Sequence, residues 1–169
     1  MSKRALKKYL SGLKKKELEE QFMDVYQRFP VVKEYYDFAF NPKEDKLVQE
    51  AKVKISNEYF PLKRKRPKAR RSVAQKYIKR FKTLGMDAHL IADVMLYNLE
   101  IAQSFEKEKN VPDAFYKSMT NSFHEVTQHV SVHGLLPEYK SRIIDIYTIT
   151  QEAEWLFGEE FSRALDILD

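Results

Sequence analysis

Lysine and arginine residues dominate one stretch of the sequence, and this stretch is the clearest indication of chemistry in the chain. No acidic residue occurs between Tyr59 and Met86, and eleven of the twenty positions from 63 to 82 are Lys or Arg. These side chains bind phosphate and carboxylate groups, lysine as a point charge and arginine through a planar fork of N–H donors. The candidate anion-binding residues are Lys63, Arg64, Lys65, Arg66, Lys68, Arg70, Arg71, Lys79 and Lys82.

A nucleic-acid backbone is the sharpest candidate for the anionic partner of this stretch. Contacts between cations and phosphates supply affinity that does not depend on base sequence. Asn and Gln, which read base edges, are sparse here, so we expect binding without sequence specificity. Two other interpretations stay open: the stretch lies in solvent, or it docks on carboxylates of the same chain or of another subunit.

The distribution of charge along the sequence is compatible with both a foreign anion and docking between the two halves. Residues 1–82 carry 24 Lys and Arg against 10 Asp and Glu, whereas residues 83–169 carry 6 against 15, although the whole chain is only +5. Such a split indicates an anionic partner for the first half or a pairing of the two halves. The alternative function is therefore a helical scaffold or self-associating protein, an acidic protein is a second candidate partner, and a homo-oligomer stays open.

Motifs for catalysis or metal binding are weak. His129 and His133 lie one helical turn apart, as do His89 and Asp93, but a metal site needs three or four converging ligands. The glycines are isolated, so the chain has no glycine-rich phosphate loop, and it has no Gly-x-Ser-x-Gly sequence. We predict a non-enzymatic protein with no catalytic residue, no metal and no cofactor.

Apolar residues recur at helical intervals in all the segments that must position the basic residues. Gly85 and Gly134 stand where helices end, and Pro42 stands where one begins. The spacing predicts an all-α, single-domain antiparallel bundle of about seven to nine helices over residues 1–169. A basic linker at 60–68 would join an N-terminal helical part to a C-terminal helical core. The predicted helices cover about residues 3–10, 15–29, 31–40, 42–59, 69–84, 87–107, 112–133 and 137–168, with Gly158 dividing the last region.

Composition places the chain among globular proteins. It is 43% hydrophobic and 13% aromatic over 169 residues, and it contains no cysteine, which excludes disulfides and thiolate chemistry. Three lysines at 14–16 interrupt the cationic N-terminus before any apolar run of signal-peptide length, and no stretch approaches the roughly 20 apolar residues that cross a bilayer. We therefore predict a soluble, cytoplasmic protein without a membrane partner.

Three segments resemble an uncharacterised bacterial family that carries only a domain-of-unknown-function label. The resemblance covers nearly the whole chain and is clearest over residues 1–100. It implies a small helical bacterial protein and brings no catalytic or ligand-binding residue with it. The segments are Ser2-Lys3-Arg4-Ala5-Leu6-Lys7-Lys8-Tyr9-Leu10, then Val32-Lys33-Glu34-Tyr35-Tyr36-Asp37-Phe38 with Asn41-Pro42, and Pro67-Lys68-Ala69-Arg70-Arg71-Ser72-Val73-Ala74.

Overall fold

The computed structural model describes residues 1–62 and 66–168. Within these ranges the chain forms nine α-helices and a short 3-10 helix, and it forms no strand. The all-α class and the predicted number of helices are thereby confirmed. The helices are α1 (Lys3–Ser11), α2 (Lys15–Arg28), α3 (Pro30–Phe40), α4 (Glu44–Tyr59), α5 (Arg71–Leu84), α6 (Ala88–Glu106), α7 (Asp113–Val132), α8 (Leu136–Glu152) and α9 (Gly158–Leu165), followed by the 3-10 helix Asp166–Leu168.

Two glycines end helices as predicted, whereas one proline does not begin a helix. Gly85 after α5 and Gly134 after α7 take left-handed φ values of 72° and 67°, where a Cβ would be strained. The predicted start of α4 at Pro42 is wrong, because the helix begins at Glu44 with Lys43 as its N-cap. The proline acts on the preceding residue instead: Asn41 is kept out of the helical region and caps the end of α3.

The described chain divides into two compact units, Met1–Pro42 and Lys43–Asp169. The basic linker predicted at 60–68 does not separate them, since α4 and α5 on either side of it belong to the second unit. The one-domain organisation stays a prediction.

The first unit consists of α1, α2 and α3, and none of its residues is fully buried. Its helices α2 and α3 form a hairpin around Pro30, which occupies the first turn of α3. The ring of Phe22 meets that of Tyr36 edge-on at 4.8 Å, and the Tyr26 hydroxyl donates to Asp37 Oδ1 at 2.5 Å. Aromatic and polar contacts between the two helices therefore define this hairpin.

Helix α6 is the centre of the second unit. It contacts α4, α5, α7 and α8, and ten of its nineteen residues are buried. Apolar residues on most sides of this helix predict such burial, because every face then needs a packing partner. The core therefore forms around α6, and the helices that carry the basic residues pack on it.

Ion pairs connect α4 and α8 to α6. Arg142 of α8 donates to Asp93 at 2.8 Å and, through two N–H groups, to Glu100 at 2.5 and 2.8 Å. Lys52 of α4 reaches the other oxygen of Asp93 at 2.6 Å. Burial alone would raise the pKa of Asp93, but the hydrogen bonds from Lys52 and Arg142 outweigh it and hold this pKa below its ordinary value.

A cluster of aromatic rings closes the core between α7 and α9. Trp155, in the segment between α8 and α9, is 5% exposed and packs edge-on against the rings of Phe115, Tyr116 and Phe161. Its buried indole N–H has no hydrogen-bond acceptor in the part of the chain that the structure describes.

A candidate anion-binding groove

Helices α4 and α5 and the segment between them line an open groove of about 800 Å³. Lys54 and Glu58 of α4 are one turn apart and share a face, and Lys76 and Tyr77 face them from α5. We call this the cationic groove, because its described lining contains five cations and one carboxylate. Its residues are Lys54, Asn57, Glu58, Pro61, Leu62, Arg66, Lys68, Arg70, Ser72, Val73, Lys76 and Tyr77.

Glu58 organises the groove through both its backbone and its side chain. Its carbonyl oxygen accepts hydrogen bonds from the amides of Lys68 at 3.0 Å and Ala69 at 2.9 Å. Ala69 has a φ of 46°, a left-handed conformation that is unusual for alanine and lets the chain turn into α5. The carboxylate of Glu58 accepts two hydrogen bonds from the Arg70 guanidinium, both 2.9 Å long.

The contact with Arg70 also sets the electrostatics of this carboxylate. The hydrogen bonds from Arg70 hold the pKa of Glu58 below its ordinary value, and they raise the pKa of Arg70 further. Glu58 is therefore ionised at neutral pH, and its charge interacts mainly with Arg70 and, to a smaller extent, with Lys68.

The other four cations of the groove form no ion pair with a carboxylate of the described residues, although the charge of Lys68 also acts on Glu58. Within residues 1–62 and 66–168, the side chains of Lys54, Arg66, Lys68 and Lys76 make no ion pair or hydrogen bond. The lining thus carries four positive charges in excess of its carboxylate. Such a concave surface of one sign concentrates anions and favours groups with several oxygen atoms, such as phosphate.

Two predicted site residues are engaged by carboxylates of their own chain. Arg70 pairs with Glu58, and Arg71 donates to Ser122 Oγ at 2.8 Å and to Glu125 Oε1 at 2.5 Å. The expectation that the basic stretch is left unneutralised is therefore wrong at Arg70 and Arg71. Arg70 precedes α5 and reaches back to α4, whereas Arg71 and Gln75 of α5 both donate to Glu125 of α7.

The remaining predicted residues fall into three groups. Lys63, Arg64 and Lys65 lie outside the described residues. Arg66 and Lys68 line the groove beside Arg70, as a binding role requires. Lys79 and Lys82 are exposed on α5 but do not line the groove.

Two cations of the groove do not belong to the predicted set. Lys54 lies on the helix before the basic stretch, and Lys76 lies within the stretch among residues of similar appearance. Only the packing of α4 beside α5 brings them together. Lys54, Asn57, Glu58 and Pro61 stand at positions i, i+3, i+4 and i+7, and this helical pattern is the one sequence signal that could indicate their common face.

The histidine pairs that the sequence offers as metal ligands do not form a metal site with the neighbouring carboxylates. His89 Nδ1 lies 2.5 Å from Glu138 Oε2, whereas Asp93 is bound by Lys52 and Arg142. His129 is buried, with Nε2 at 3.0 Å from the carbonyl oxygen of Ala88, and burial lowers its pKa. In the described ranges, no three His, Asp or Glu side chains are grouped so as to hold a metal ion.

The chain belongs to a family of unknown function, DUF6155, whose profile matches residues 1–169. This confirms the resemblance to a family with only a domain-of-unknown-function label. No curated protein and no solved structure matches the chain. Among the described helices, none has both the length and the apolar character that crossing a bilayer requires.

Proposed function

We propose that this protein is a non-enzymatic binding protein whose cationic groove holds the phosphate backbone of a nucleic acid without sequence specificity. The observation that supports the proposal is the set of four cations in one concave lining that make no ion pair or hydrogen bond among the described residues: Lys54, Arg66, Lys68 and Lys76. They come from α4, from α5 and from the segment between these helices, so the fold gathers charge that the sequence disperses over 23 positions.

The arrangement suits a polymer better than a single small anion. The groove is open to solvent, and Lys79 lies on the exposed surface of α5 three positions beyond Lys76. A row of cations of this kind can contact successive phosphates, each of which releases condensed counterions when it is neutralised. Affinity then comes from the number of phosphates that are bound rather than from any one residue.

A salt titration with variants of the groove tests this proposal. Binding of a fluorescently labelled duplex is measured by anisotropy at several salt concentrations, for the wild type and for Lys54→Gln, Arg66→Gln and Lys76→Gln. The affinity of the wild type should fall steeply with salt. Each substitution should flatten the slope of log affinity against log salt by about 0.9 for each phosphate that the variant no longer neutralises.

Matched controls exist on the same unit. Lys117 of α7 and Lys140 of α8 are exposed lysines outside the groove, so Lys117→Gln and Lys140→Gln lower the net charge equally. They should change the salt slope little. The proposal is abandoned if the wild type binds no nucleic acid at low salt, or if control and groove variants behave alike.

The alternative function is a helical scaffold or self-associating protein whose basic N-terminal half pairs with the acidic C-terminal half of itself or of a neighbour. Two observed ion pairs support pairing of the halves inside a single chain, and association between chains would need further contacts of this kind. Lys52 with Asp93 and Arg71 with Glu125 join the basic first half of the sequence to its acidic second half within one chain. Sedimentation velocity at low and high salt separates the two functions, because only self-association gives a dimer that salt dissociates. A cytoplasmic location and a bacterial origin remain predictions.

A further inference from the structure

A second, smaller pocket adjoins the cationic groove. It has a volume of about 310 Å³ and lies along α4 against Tyr97 of α6. Asn57 and Leu62 line both the pocket and the groove, so the two depressions are contiguous. A ligand that occupies the groove can therefore extend into this pocket without leaving the surface.

The pocket differs from the groove in its charge. Among the described residues, Lys52 is the one cation in its lining, and its ammonium group lies 2.6 Å from Asp93 Oδ2. The same ammonium group stands 5.3 Å from the centroid of the Tyr97 ring. Since this cation is already engaged, the pocket offers little to a second phosphate.

What the pocket offers instead is a set of neutral polar groups beside apolar ones. In the described part of the chain, the side chains of Gln49, Ser56 and Asn57 make no hydrogen bond. Val53 and Leu62 add apolar surface, with 57% and 73% of their areas exposed. Amide and hydroxyl groups can hydrogen-bond the edge of a nucleobase, which carries donors and acceptors, and the neighbouring apolar side chains can contact its apolar faces.

We propose that this neutral pocket receives an unstacked base of a single-stranded nucleic acid whose phosphates lie in the cationic groove. The inference rests on the proposed function, because the groove supplies the charge that holds the strand. A duplex keeps its bases paired and stacked, so it can use the groove but not the pocket. Single strands should accordingly bind more tightly than duplexes of the same sequence and length.

The test compares a labelled single strand of roughly 16 nucleotides, the upper end of common site sizes, with its duplex at one salt concentration. The double variant Gln49→Ala/Ser56→Ala removes two hydrogen-bonding groups that line the pocket but not the groove, and it leaves every charge in place. It should weaken single-strand binding about tenfold and duplex binding less than twofold, since removing each hydrogen bond weakens binding a few-fold. The control Gln128→Ala/Ser131→Ala makes the same change on exposed positions of α7 and should alter neither affinity.

The outcomes separate this inference from the proposed function. If the wild type binds neither form, both fail. If the wild type binds duplex and single strand with equal affinity and the pocket variant changes neither affinity, the pocket has no role in base binding. The same conclusion holds if the variant weakens the binding of both forms equally. In both cases the groove keeps its proposed function. Adenosine monophosphate serves as a competitor at equal nucleotide concentration. If it displaces the labelled strand, the ligand is a single nucleotide and the proposed strand is wrong. If it does not displace the strand, the result supports a strand as the ligand.

Discussion

Replacing Glu58 with Gln should tighten the binding of nucleic acid to the cationic groove. Glu58 is the carboxylate of the groove, and it holds the guanidinium of Arg70 through two hydrogen bonds. The substitution removes the negative charge but keeps the backbone carbonyl to which Lys68 and Ala69 bind. The groove should therefore keep its shape while its excess positive charge increases by one.

The expected gain follows from the repulsion that the substitution removes. A phosphate that reaches Arg70 comes within about 5 Å of the Glu58 carboxylate, and two unit charges at that distance in water repel by about 0.8 kcal/mol. Removing this repulsion should raise the affinity roughly fourfold at low salt. Arg70, once released, can contact a further phosphate, which should steepen the salt slope by about 0.9.

The assay is the anisotropy titration of the labelled duplex, with Glu50→Gln as its control. Glu50 lies on the same helix, is exposed and pairs with Lys46 at 4.0 Å, so this variant gains the same charge outside the groove. Equal affinities for the two variants would refute the reasoning, as would weaker binding by Glu58→Gln. Because Arg70 holds the pKa of Glu58 below its ordinary value, mild acid should not reproduce the effect in the wild type.

Three further predictions concern stability. Arg142→Gln should lower the free energy of unfolding by about 2 kcal/mol in urea titrations. This is less than the loss for a fully buried pair, because the Arg142 side chain is 30% exposed. The control Arg163→Gln breaks a surface pair and should lower the free energy of unfolding by less than about 0.5 kcal/mol. Burial lowers the pKa of His129, so the unfolded state binds a proton at this residue more readily than the folded state does. The free energy of unfolding, measured in urea titrations, should therefore fall as the pH drops below about 6.5. His129→Gln should reduce this pH dependence. Tyr59→Phe should cost about 1–2 kcal/mol by chemical denaturation, because the substitution removes the hydroxyl that donates to the buried Asn98 oxygen at 3.2 Å.

Local signals in the sequence account for most of the fold. The left-handed residues Gly85 and Gly134 can be predicted because glycine, which has no Cβ, adopts that backbone at a helix end without strain. The apolar residues on most sides of α6 predict its central place. The first residue of α4 is harder to predict from the sequence. The proline at 42 restricts the residue before it, and this competes with its preference for a first helical turn.

The candidate site depends on contacts that local patterns do not contain. Arg66 and Lys68 are part of an obvious basic run, but the pairing of Arg71 with Glu125 joins positions 54 residues apart. Lys54 enters the groove only because α4 packs beside α5. A run of like charges therefore indicates an anion-binding surface, while the division of that run into free and engaged members is decided by tertiary packing.

Trp155 gives the protein a built-in spectroscopic probe. It is the one tryptophan of the sequence, and its indole is enclosed by rings of the second unit with no acceptor for its N–H among the described residues. Its emission should lie at short wavelength in the native state and report the melting of α7 to α9, while helical circular dichroism also records α1 to α3. Transition midpoints that differ between the two signals would reveal that residues 1–42 melt independently of the rest.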